Sequence, residues 1–349
     1  MEQFTGQSVE IIWNKGIAAL CDRRFPDEFP DGRNYVPNPA HAGTLWSSRL
    51  PGNLISDPSA GRKIGEGELV WVRLSWLRSF VRQVLPQVTA NFVLVTGDSD
   101  SCVPSELRSE ARAVLAYFKV LHWYTQNYDD SMPRERISPL PIGVDLHMIS
   151  EKAIWGEAVS SPLEQERALV TIAKSLPPLP VRYPRVYVDF GWQRGFGFYR
   201  RFHPLQGTEF HESRRQTAKK LRGNDLVYFQ SGPLARSELW RRRGEYAFVL
   251  SPHGMGLDCH RTWEALALGH IVLVPSSSLD DLYADLPVVA LKSWSEITPQ
   301  NLERWLSRYP NGGATHEKLR STYWVDEMRS RAKACVAPGT LVSRESFAR

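Results

Sequence analysis

Short apolar runs alternate along the chain with longer stretches of helical spacing, and the runs end repeatedly in turn residues or carboxylates. In the first half, Val9–Trp13 predicts a strand, Gly16–Cys21 a short helix and Glu68–Val72 a strand. Trp76, Leu77, Phe80, Val81 and Val84–Leu85 recur at helical spacing, predicting a helix over Trp76–Leu85. Asn91–Thr96 is the clearest strand, followed by a helix over Ser105–Phe118 and a strand over Val120–Tyr124. Leu140–Ile142 is an apolar run that delivers Gly143-Val144-Asp145 to a loop, and Trp155–Ser175 reads as a helix-rich connection. The proline-rich stretch Leu176–Pro184 is a linker.

A second series then begins: a strand over Val186–Phe190, a basic helix over Glu212–Leu221, a strand over Leu226–Gln230 and a helix over Ala235–Gly244. Phe248–Leu250 ends in Ser251-Pro252. Asp258 is an N-cap for a helix over Cys259–Leu268, Gly269 its C-terminal stop, and Ile271–Val274 a buried strand. Helices over Pro299–Tyr309 and His316–Ala334 complete the chain. Strands alternating with helices predict parallel sheets. The expected organisation is an N-terminal unit over 1–175, a C-terminal unit over 185–315 and a terminal helix within 316–349. The expected fold class is α/β, with each half Rossmann-like.

In Phe248–Pro275, two glycines let the chain turn and approach a ligand closely, and a helix N-terminus follows, where unpaired N–H groups attract anions. Arg261 in the first turn and Glu264 three residues on suit a nucleotide-sugar, with guanidinium to diphosphate and carboxylate to ribose hydroxyls. An ordinary surface Arg–Glu pair has the same spacing. The segment Ser251-Pro252-x-Gly254-x-Gly256-Leu257-Asp258-x-His260-Arg261-x-Trp263-Glu264-Ala265-Leu266 resembles the C-terminal signature of exostosin-like glycosyltransferases. The resemblance extends over about Tyr246–Leu291 and is weak over the first half. It implies a two-Rossmann (GT-B) transferase, its two Rossmann-like domains facing a cleft, whose C-terminal half binds the donor, expected to be UDP-linked, and whose last helix packs back on the first domain. The donor residues it implies are Ser251, His253, Gly254, Gly256, Asp258, Arg261 and Glu264. Arg194, in a glycine and arginine loop after the first strand of the second half, is a further cation for the diphosphate. Ser276-Ser277-Ser278 either touch the base or ribose or cap a helix.

An inverting transfer needs a base for the acceptor hydroxyl. Asp98, Asp100, Asp129 and Asp145 each follow an apolar run in the first half and are the candidates. Asp98-Ser99-Asp100 also has the form with which single-domain transferases hold a metal, so a metal-dependent transferase is the alternative; a non-catalytic carbohydrate- or nucleotide-binding protein is a second. No cofactor is expected beyond the nucleotide-sugar co-substrate, and a divalent metal is not expected to be essential. His253, Cys259 and His260 match no common zinc spacing.

Composition changes little. The 349 residues are 42% hydrophobic and 23% charged, which is globular, and a formal charge of +5 is too modest to argue for nucleic-acid binding. Twelve tryptophans and twelve tyrosines offer stacking surfaces for sugars and bases, though rings of this kind mostly fill cores. Four cysteines without C-x-x-C spacing exclude a zinc ribbon or a disulfide framework. No apolar run reaches 18 residues. The expected partners are a nucleotide-sugar donor and a glycan or glycoconjugate acceptor, with no nucleic acid and no integral membrane segment. The expected location is the cytoplasm, or the Golgi lumen if the sequence is a trimmed ectodomain.

Overall fold

The computed structural model describes residues 9–25, 58–190 and 214–336. Among them are two five-stranded sheets, each wholly parallel. The first comprises β1 (Arg23–Phe25), β2 (Glu68–Arg73), β3 (Phe92–Gly97), β4 (Val120–Thr125) and β5 (Ile137–Pro139), side by side in chain order. The second comprises β6 (Tyr183–Val188), β7 (Val227–Phe229), β8 (Tyr246–Leu250), β9 (Ile271–Pro275) and β10 (Val288–Leu291). Its order is β10-β9-β8-β6-β7, so the chain reverses its direction of growth between β6 and β8. Two parallel α/β units of five strands each are the expected fold class, and only the second sheet has the reversed strand order of a doubly wound unit.

Of the helices, α1 (Asn14–Leu20) opens the first half, and α2 (Leu77–Ser79) is the middle of a broken stretch. The single helix expected over Trp76–Leu85 is instead a run of 3-10, α and π turns from Leu74 to Gln87. Pro86 has no N–H to continue an α-helical ladder there. The next are α3 (Arg108–Ala116), α4 (Met148–Glu151) and α5 (Pro162–Ser175), the last started by a Ser161–Glu164 capping box. The second half carries α6 (Arg214–Leu221), α7 (Arg236–Arg243), α8 (His260–Ala267) and α9 (Pro299–Arg308). The terminal α10 (Ser321–Val336) lies against α1, β2, β3 and β4 of the first half, and its Ser321 Oγ donates to the Ile11 carbonyl. Val9–Trp13 forms isolated bridges through Ile11 and Trp13 rather than a strand, and the apolar run Leu140–Ile142 follows the short strand β5 instead of forming one.

Strands β8 and β9 are buried along their whole length, and their alternation feeds two cores. Phe248, Leu250, Ile271 and Leu273 pack with Trp305 of α9. Val249, Val272 and Val274 join a larger cluster with Trp263 and Leu266 of α8, and that cluster continues into the first half. The halves thus share one apolar core, which polar contacts supplement. Arg134 donates to the Ser278 carbonyl at 2.8 Å, and Ser278 Oγ to that of Tyr128 at 2.6 Å. The buried Arg236 of α7 donates to the Asp145 carbonyl and to Gln165, both at 2.7 Å.

Candidate functional site

Ligands of open parallel sheets lie beyond the carboxyl ends of the strands where the order reverses. In the second sheet those are the ends of β6 and β8, and two charged groups meet there. The side chain of Asp189, directly after β6, is buried. One of its oxygens accepts from Arg261 Nε at 2.7 Å and the other from Arg243 Nε at 3.0 Å. Burial opposes its charge, but the two guanidiniums prevail and hold its pKa below the usual carboxylate value. Arg243 ends α7 and is buried; Arg261 is in the first turn of α8, with its side chain 16% exposed. Arg261 bonds Asp189 through Nε, which leaves its two Nη groups outside that hydrogen bond.

Glu264 does not pair with Arg261. Its Oε2 accepts from the Trp240 indole at 3.2 Å and lies 3.6 Å from Arg243 Nη1, so α7 fixes one side of the carboxylate. A second cation comes from α6, where Arg214 Nε donates to the His253 carbonyl at 3.1 Å, and Arg214 and Arg261 both flank the Phe190 ring. Arg194, the other cation expected here, lies outside the described residues with its loop.

The glycine loop serves the protein as much as a ligand. Neither Gly254 nor Gly256 is in the left-handed region. A Cβ on Gly256 would meet the Asn127 side chain at 2.6 Å, so glycine lets the first half approach. Asn127 itself sits in the left-handed region just after β4, accepts from the Asp258 N–H at 2.9 Å and donates to the Ser99 carbonyl at 3.0 Å.

Asp258 is committed to structure as well. The cap of α8 is Cys259, and the Asp258 carboxylate accepts from the Ile142 N–H, the Trp263 indole, the Tyr283 hydroxyl and the Cys259 N–H, all at 2.8–2.9 Å. It is a bolt between the halves. Ser251 Oγ accepts from Thr262 Oγ1 at 2.9 Å, and His253 Nδ1 bonds the Leu257 carbonyl at 2.7 Å; both shape the loop. Ser276 and Ser277 bond Asp280, which starts a helical turn, and Ser278 bridges to the first half.

The four aspartates of the first half have four different surroundings. Asp98, in the left-handed region after β3, lies 3.0 Å from Lys15 Nζ and 2.9 Å from Arg73 Nε. Burial opposes its ionisation, but Lys15 and Arg73 override it and hold the carboxyl far below its ordinary pKa. Asp129 accepts from the Ser105 and Ser131 backbone N–H groups, tying its own loop. Asp145 is buried and accepts from the His147 and Met148 N–H groups at the start of α4. Asp100 is solvent-exposed and has no hydrogen bond among the described residues. The protein on its inner side raises its pKa, chiefly by desolvation, with Asp98 adding, while His260 and Arg214 of the other half oppose.

Spacing did not single out Asp189, Arg214, Arg243, Trp240, Asn127 or His147 for a site role. Asp189 is the one with a signal in the sequence, as a carboxylate ending a buried strand in the manner of Asp98. The others reach the cleft only through packing.

No family model matches the chain, and no curated protein matches it. Among solved structures, a UDP-forming α,α-trehalose-phosphate synthase from Burkholderia vietnamiensis is 15% identical over 80% of this chain and 76% of its own, with a TM-score of 0.35. The E. coli trehalose-6-phosphate protein bound with UDP-2-fluoro glucose is 10% identical over 78% and 73%, with a TM-score of 0.34. An α-glucosyltransferase in complex with UDP and a 13-mer DNA is 11% identical over 80% and 78%, with a TM-score of 0.29. Likeness at that level carries no inference about activity, and the fold rests on strand order. No helix among the described residues is long and apolar enough to cross a membrane.

Proposed function

We propose that the chain is a glycosyltransferase that moves a sugar from a nucleotide-sugar of the UDP class to a glycan hydroxyl with inversion. One observation carries the reading: Arg261, held by the buried Asp189, stands at the N-terminus of α8 where the second sheet reverses its order. A preorganised guanidinium beside helix N–H groups receives a diphosphate, both in the ground state and as negative charge builds on the leaving group. Arg214, also beside the Phe190 ring, adds a second positive charge. Glu264, steadied by Trp240 and Arg243, offers its remaining oxygen to ribose hydroxyls.

Asp100 is the general base in this reading. Asp129 is tied to its own loop by backbone N–H groups, Asp145 is buried beside His147 away from solvent, and Asp98 is too strongly paired to accept a proton. Asp100 takes the proton of the acceptor hydroxyl, whose oxygen attacks the anomeric carbon. The bond to the β-phosphate oxygen breaks, and the diphosphate leaves with the electron pair toward Arg261 and Arg214. Lys15 and Arg73 already neutralise Asp98, so the diphosphate role falls to these cations rather than to a metal between Asp98 and Asp100.

The test is UDP calorimetry followed by a donor panel assayed for transfer and hydrolysis. Asp100→Asn should lower turnover by about 10²–10⁴-fold with UDP affinity unchanged, the usual worth of acid–base catalysis. Arg261→Ala should damage both affinity and turnover. Full turnover in Asp100→Asn would remove Asp100 as the base. A protein that binds no nucleotide would overturn the whole reading.

A further inference from the structure

Three side chains left over from that reading converge where the halves meet. Asp145 and His147 come from the loop between β5 and α4, and His260 is the first residue of α8 in the other half. One ligand atom from each lies within 4.8 Å of the other two, and among the described residues this is the one group with that geometry. We propose that Asp145, His147 and His260 form a binding site for a transition-metal ion of the zinc class, bridging the two halves.

The donors fit such an ion. His260 Nδ1 lies 2.7 Å from the Gly143 carbonyl, which can only accept, so that nitrogen carries the proton and Nε2 keeps its lone pair. A ring N–H donated to a backbone carbonyl is the usual way a ligating histidine is oriented. Asp145 Oδ1 lies 3.0 Å from His147 Nδ1, and two donors of a tetrahedral ion at about 2.0–2.2 Å stand about 3.4 Å apart, so the pair needs to open by only a few tenths of an ångström to share one. The carboxylate is further fixed by the His147 and Met148 N–H groups at 3.1 and 3.0 Å, and the Asp145 carbonyl by the buried Arg236. The His147 and His260 ring centroids are 5.7 Å apart, so modest side-chain rotation brings the third donor in. Two imidazoles and one carboxylate favour zinc, cobalt or nickel over magnesium or calcium, which prefer all-oxygen shells.

Three protein ligands leave a tetrahedral ion one open position. Because His260 adjoins Arg261, loading the site ties the position of the diphosphate-facing helix end to the first half. The site does not depend on the sugar-transfer reading, and its test uses the metal alone.

The full chain, stripped with chelator, is titrated with Zn2+ by calorimetry, and Co2+ binding is followed by its visible ligand-field absorption. The expected result is one ion per chain, with His147→Ala and His260→Gln each weakening binding by more than about 10-fold, the lower end of what loss of even a supporting partner costs. Cys335→Ser, at the exposed cysteine of α10, should leave the affinity unchanged. Thermal melts without metal establish that each variant folds; should His260→Gln fail to fold, His147→Ala decides. Absence of one-to-one binding in the parent protein, a smaller loss in a folded variant, or loss on Cys335→Ser would overturn the site.

Discussion

Each half of the molecule buries an aspartate just past a strand end, between two cations, yet the two arrangements face different tasks. In the first half, Asp98 is closed off by Lys15 and Arg73, whose side chains are only 1% and 9% exposed. In the second half, Asp189 has one buried partner, Arg243, and one, Arg261, that still meets solvent. The first is an internal knot that shapes the β3 loop and leaves Asp100 beyond it exposed. The second is a clamp that presents a cation. Sheet order accounts for the difference: the first sheet runs in chain order, whereas the second opens a crevice between β6 and β8.

Neutralising either aspartate separates knot from clamp most strongly. Asp98→Asn and Asp189→Asn each leave two cations short of a counter-charge, and removing one partner of a buried ionic group costs about 3–5 kcal/mol. Urea denaturation should register a loss of that order in both. UDP affinity should fall only in Asp189→Asn, because in the proposed function only that orphaned guanidinium serves the diphosphate. Equal UDP affinity in both variants would erase the distinction.

Glu264→Gln comes next. A charged hydrogen-bond set to ribose is worth about 1.5–3 kcal/mol, so UDP should bind more weakly by that amount with the fold intact. Unchanged affinity in calorimetry would assign Glu264 to α7 alone, through Trp240 and Arg243.

Gly256→Ala probes the seam. The added methyl meets Asn127 and should cost about 1–3 kcal/mol as overpacking. Asn127→Ala in the same chain should restore part of that stability. A double variant no more stable than Gly256→Ala would place the strain elsewhere in the loop.

The smallest effect is a pH dependence. His122 of β4 is buried against Ser138, and burial pulls its pKa down to about 4. A folded pKa below the unfolded value near 6.5 means that the unfolded chain takes up the proton first. This contribution to stability is therefore complete above about pH 6.5 and is lost progressively as pH falls toward 4. His122→Gln should flatten the slope of urea midpoints across that window; an unchanged slope would rule His122 out as its source.

What the chain discloses on its own is local. Apolar period and turn residues marked β2, β3, β4, β6, β8 and β9 and most helices, because each needs only its own neighbours to choose strand or helix. The same logic picked out Arg261 and Glu264 as residues on one helix. It failed at Leu74–Gln87, where helical spacing met Pro86, and at β1 and β5, which are three residues each and exist through pairing with β2 and β4. Tertiary structure alone decided whom the polar residues serve. Spacing places Arg261 and Glu264 side by side on one helix face, but Arg261 turns to Asp189, 72 residues away, while Glu264 faces Trp240 and Arg243. Asp258, expected as a cap, holds Ile142 across the seam, and Gly256 makes room for Asn127. The physical reason is that a buried charge or amide must find a partner wherever the packed chain brings one, and sequence separation places no limit on where that is.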